Sequence, residues 1–222
     1  MKIIRIIKIF TINAIIFTSF SSCNAQNNNP VEIGLKDCIN EVVNKYAKES
    51  YGKTPFDFYS FMQEIEQQLI AHKLINNTKK ESYLDLFSKI ENEKKDTYEN
   101  FYNKAISLME DKGFDFNLYI INNAVFSKCP YDVLTKIEEY KNDPYYKYAV
   151  LLNRVMNHGY NNQEAIRELI ELTNETEYTK PHYRAPIILL VVINIDLKFN
   201  PAEPMEKFEV GGKTYFRPKK KD

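Results

Sequence analysis

Apolar side chains recur at spacings of three and four from Leu35 to Thr173, a period that lines them up on one face of successive helices. The first stripe is Leu35, Cys38, Ile39, Val42 and Tyr46, with Gly52 following as a stop. Thr54, Pro55 and Asp57 then combine an N-cap hydroxyl, a proline at the first helical position and an acid in the first turn. Phe58, Phe61, Met62, Ile65 and Leu69 form the stripe of that second helix. Thr78 and Glu81 have the spacing of a capping box ahead of Tyr83, Leu86, Phe87 and Ile90. Asp96 or Thr97 can cap a fourth helix, which Gly113 is placed to end.

The second half continues the pattern. Residues 115–128 are expected to be helical rather than a short strand, and Pro130 to open a helix with Val133, Leu134, Ile137 and Tyr140 inward. Asp143 and Pro144 start the next, whose stripe is Tyr145, Tyr148, Ala149, Leu152 and Met156. Asn161 or Asn162 caps another. The helix pair between Asp143 and Thr173 is similar in shape to a tetratricopeptide unit but lacks that family's Trp and Gly positions. Residues 187–193 are continuously apolar, which signals burial on all sides. In a helical chain they are expected to form a central helix opened near Pro186, with a buried strand as the alternative. Around Gly211-Gly212 the pattern alternates, as in a hairpin at about 205–217. The expected fold is mainly α: a compact antiparallel bundle, or a short solenoid-like array, of about 8–9 helices with a C-terminal β-hairpin. Only six glycines in 222 residues agrees with long helices.

The N-terminus follows a different logic. Lys2, Arg5 and Lys8 precede an apolar stretch over residues 9–20, then Ser21, Ser22 and Cys23. A charged, an apolar and a small-residue region in that order make an export signal. The stretch is too short for a spanning helix, which needs about 20 apolar residues. Phe20-Ser21-Ser22-Cys23 resembles a bacterial lipoprotein box, although Phe20 stands where such boxes usually carry a Leu-like residue. The resemblance implies that residues 1–22 are removed and that Cys23 carries the lipid. The rival cut falls after Ala25, discards Cys23 and releases a soluble protein. Residues 23–33 read as a polar linker, and residues 34–222 as a single domain.

Removing the three signal cations leaves 27 Lys+Arg against 30 Asp+Glu, a net charge of about −3. That balance gives no reason to expect a nucleic-acid partner. Two cysteines remain, Cys38 and Cys129. Export permits a bridge, but Cys38 sits on an apolar stripe, and two buried free thiols are expected.

Chemistry-bearing motifs are sparse. His72 and His158 fall near helix C-termini, where a cation is favourable. His182 and Arg184, just ahead of the apolar run, can be drawn as an anion contact, against the simpler reading of a polar helix entry. No metal-ligand spacing, nucleophile motif or phosphate loop occurs, and no cofactor or metal is expected. The aromatic load is high, with 16 Tyr and 14 Phe but no Trp. Tyr145, Tyr146 and Tyr148 cluster beside Pro144 as a candidate partner surface, because tyrosine is enriched at interfaces.

The expectation is an exported cell-envelope lipoprotein acting as a non-enzymatic protein-binding or accessory module, of an immunity or assembly kind. Its partner would be an envelope protein or peptide, and its membrane contact the lipid alone. The alternatives are an envelope hydrolase built from dispersed carboxylates and His182, and a soluble secreted structural protein.

Overall fold

The computed structural model describes residues 29–114 and 119–201, together with the backbone of 205–210 and 213–218. The signal segment, Cys23 and the Ala25 cut lie outside the described residues. The chain is mainly helical: α1 Pro30–Tyr51, α2 Phe58–Ala71, α3 Lys80–Asn92, α4 Glu99–Lys112, α5 Tyr119–Asn123, α6 Cys129–Leu134, α7 Pro144–His158, α8 Gln163–Leu172, α9 Glu175–Tyr178 and α10 Pro181–Phe199. No helix among the described residues is long and apolar enough to cross a membrane.

α1 begins inside the expected linker. The Asn29 side chain accepts from the Val31 amide at 3.0 Å, and Pro30 occupies the first turn. Val31 then extends the buried line Leu35, Ile39, Val43 and Ala47 by one turn. Gly52 closes the helix at φ 65°, a left-handed cap that strains any residue with a Cβ.

The start of α2 is set by α1 rather than by Thr54. The Asn44 amide brackets Phe56, donating to its carbonyl and accepting from its N–H, both at 2.8 Å. Asn40 accepts from Phe58 N–H at 2.8 Å. Asp57, paired with Lys36 at 2.8 Å, becomes the N-cap. The Thr78–Glu81 capping box does not form; Asn77 accepts from Lys79 N–H at 2.9 Å and from the Ser82 hydroxyl at 2.9 Å. A capping box does form at Asn174 and Glu177, ahead of α9. The caps expected at Gly113, Asp143 and Asn162 are present.

The stretch before Pro130 is helical, but as α5 followed by a π-helical turn over Ala124–Lys128 that runs into α6. α6 stops at Leu134, and Tyr140 opens a separate 3₁₀ turn, Tyr140–Asn142.

The apolar run 187–193 is a helix, and every residue in it is at most 1% exposed. β-branched side chains there are overridden by burial, which stabilises by about 1.5–3 kcal/mol for each large side chain. The helix opens at Pro181, a turn before the expected Pro186, which sits inside it. Pro186 lies in the second turn, so its missing N–H leaves the His182 carbonyl without the usual helical bond. α10 touches α1, α2, α3, α4 and α9. A solenoid stacks neighbour on neighbour; contacts from the last helix back to the first make α10 the centre of a wrapped body.

The expectation of two free thiols is overturned. Cys38 on α1 and Cys129 at the start of α6 are bonded, with Cα atoms 5.7 Å apart. The helical stripe put Cys38 at the margin of the core, and the π turn delivers Cys129 to the same place. The hairpin expected at about 205–217 falls beyond residue 201, where side chains are not described.

Candidate functional site

His182 and Arg184 do not make an anion pocket. His182 is 1% exposed, and neither ring nitrogen has a hydrogen-bond partner among the described residues. It packs among the rings of Tyr145 and Tyr183, with centroids 5.5 and 4.6 Å away. Burial, with the Lys180 charge adding to it, pushes its pKa down to about 4, so the ring is neutral at pH 7. The Glu32 carboxylate, 3.8 Å from Nδ1, is beyond hydrogen-bond reach and does not hold a proton there.

Arg184 already has its anion. Its Nε lies 3.1 Å from Oε1 of Glu66 on α2, whose side chain is 2% exposed. The Tyr83 hydroxyl donates to the same oxygen. Burial raises the Glu66 pKa against the opposing pull of Tyr83 and Arg184. The Tyr178 hydroxyl, packed edge-on beside Tyr83, is buried without a partner among the described residues. This is a closed polar cluster between helices. Neither His182 nor Arg184 lines the larger surface cavities, and among the described residues no three His, Cys, Asp or Glu side chains are placed to hold a metal.

The tyrosine cluster divides. Tyr145 and Tyr148 are 2% and 1% exposed and belong to the core, so they are not a partner surface. The Tyr148 hydroxyl donates to the Tyr183 carbonyl. Tyr146, one step around α7, faces out into a groove of about 350 Å³ between α6 and α7. Tyr131, Tyr140, Leu134 and Val150 line it with Tyr146, and Asn153 and Ser127, the Asn153 amide donating to the Ser127 hydroxyl at 2.8 Å, add polar atoms. Tyr131 is 67% exposed and Val150 50%. Tyr140 and Tyr146 meet edge to face with centroids 5.6 Å apart, which fixes the groove wall.

Tyr131 and Val150 went unnoticed in the sequence, where their signal is large apolar residues off the buried stripes of α6 and α7. Glu66 was equally legible as an acid between Ile65 and Leu69. Exposed aromatic and aliphatic surface gathered in a concave groove can take an extended or helical peptide segment. No protein-family model, no curated protein and no solved structure matches this chain. Its function is therefore argued from its own chemistry.

Proposed function

We propose that the protein is an exported cell-envelope lipoprotein, anchored through Cys23, whose helical body is a non-enzymatic module that holds another envelope protein or peptide. The observation that carries the binding role is the groove between α6 and α7, where Tyr131, Tyr140, Tyr146 and Val150 present apolar surface around a few polar atoms. The Cys38–Cys129 bond supports the exported address, because such bonds persist in oxidising compartments. The signal-like residues 1–22 support it independently. The C-terminal hairpin belongs to the same proposal; backbone pairing of Phe208 with Tyr215 and of Val210 with Lys213 supports it.

The test is affinity capture from detergent-solubilised envelope, run beside Val150→Asp. That exposed substitution is expected to change stability by no more than about 0.5 kcal/mol. A stoichiometric partner should be recovered with the unaltered protein and lost with the variant. Recovery of the same proteins by both, or of none by either, overturns the reading. Intact mass of the mature N-terminus checks the anchor: an acylated Cys23 start is expected, and a Gln26 start rules it out.

A further inference from the structure

The groove between α6 and α7 is lined without charge. Three of its lining residues are tyrosines, Tyr131, Tyr140 and Tyr146, and none is an acid or a base. The α6 charges lie elsewhere: Lys128 and Asp132 pair at 2.6 Å and line a cavity on the α1 side. A charged group entering the groove would lose its water and meet no counter-charge, so the surface selects an uncharged occupant.

Its polar atoms lean towards donors. The Asn153 carbonyl oxygen accepts from the Asn157 amide at 2.7 Å. One Asn153 N–H goes to the Ser127 hydroxyl, which leaves a second N–H and the Ser127 O–H without a partner among the described residues. Each of the three phenols can donate as well. Thr135, whose proton goes to the Tyr131 carbonyl at 2.9 Å, is the exception and remains an acceptor.

That balance sorts the backbone conformations a peptide could bring. A β-strand carries an N–H on every residue and needs acceptors in return. A helix satisfies its own backbone and gives these donors nothing. A polyproline II segment turns its carbonyls outward, and each proline lacks the N–H. Its rings pack on aromatic faces, and little order is lost on binding because the conformation is preformed. The tyrosines supply such faces: Tyr131 on α6 is 67% exposed, and Tyr146 on α7 is steadied by its edge contact with Tyr140.

We propose that the groove takes an uncharged, proline-rich segment of its partner in the polyproline II conformation. The proline rings seat against Tyr131 and Tyr146, and the carbonyls turn to Asn153 and Ser127. This rests on the groove being the partner site.

Titration of the mature full-length protein by NMR tests the proposal with three neutral probes. They are acetylated, amidated decaproline, an equally long capped Gly-Ser repeat, and chitohexaose. Decaproline should give saturable shifts at Tyr131, Tyr146 and Val150 with a Kd below about 1 mM, and the flexible Gly-Ser repeat should bind at least about ten-fold more weakly. Tyr131→Ala should weaken decaproline by at least about five-fold, while Tyr131→Phe, which keeps the ring, should stay within about two-fold. Val150→Asp, which places a charge in the groove, should abolish saturation. No saturable binding of decaproline, equal binding of the Gly-Ser repeat, tighter binding of the oligosaccharide, or unchanged affinity in Tyr131→Ala overturns the proposal. If decaproline fails while Val150→Asp still abolishes capture of a partner, the proline chemistry falls and the groove stands; if both fail, both fall.

Discussion

The two ends of α10 each bury a charge and use it in opposite ways. At the start, Arg184 is satisfied by Glu66 and Tyr83 inside the body, and His182 is neutral among aromatic rings. At the end, Asp196 is steadied by Tyr102 and Asn200 but opens onto a cavity. A buried charge whose counter-charge is built in is part of the architecture. A buried charge at the wall of a cavity is held instead by neutral donors, the Tyr102 hydroxyl and the Asn200 amide.

That contrast can be broken most severely at the first end. Arg184→Met should cost about 3–5 kcal/mol in chemical denaturation, because Glu66 is left buried beside a hydroxyl alone. Adding Glu66→Gln should restore most of it, and a double-mutant cycle measures the coupling. Next comes α1, whose Glu32 faces His182 and whose Tyr51 lines the far pocket. Cys38→Ala with Cys129→Ala should lower stability by about 2–5 kcal/mol, since the bond closes a loop of 91 residues. Broader amide signals at both ends would show that α1 couples them.

Acid should separate the two ends more gently. Unfolded His182 takes up its proton near pH 6.5, whereas the folded group waits until about 4. Between those values the unfolded state holds more protons, so stability is full above about pH 6.5 and falls on acidification through that window. The slope is at most about 1.4 kcal/mol per pH unit. His182→Phe should remove that component of the pH profile; an identical slope in the variant refutes the assignment. The smallest effect belongs to the far end. Asp196→Asn should shift stability by only about 1–2 kcal/mol, since Tyr102 can still donate to the amide oxygen. A loss as large as that of Arg184→Met would make Asp196 architectural and erase the contrast.

Much of this body was legible as periodicity and caps. The stripes of α2, α3 and α7, the glycine stops after α1 and α4, and the burial of residues 187–193 all follow from spacing. What spacing could not reveal was competition between neighbours. Asn40 and Asn44 moved the start of α2 past Thr54 because their amides bond the incoming backbone. Pro181 rather than Pro186 opened α10, and a proline alone does not say which turn it occupies. The tyrosines hold the sharper lesson. The α7 stripe already placed Tyr145 and Tyr148 inward, in conflict with a surface role for the cluster, and the periodicity prevailed. Tyr146 faces outward because it sits one residue off that stripe. The groove is set by how the successive helices α6 and α7 pack side by side, which the periodicity within either helix does not reveal.

The bond between α1 and α6 has a mechanical consequence. If the N-terminus is tethered to a membrane, any load on the body enters through Asn29 and Pro30. Pulling can peel the first turns of α1 only as far as Cys38. There the tension passes through sulfur into Cys129, and the π turn and α6 bear it. The core strung along Ile39, Val43 and Ala47 lies behind that covalent stop, so the body can be tugged at its leash without unspooling.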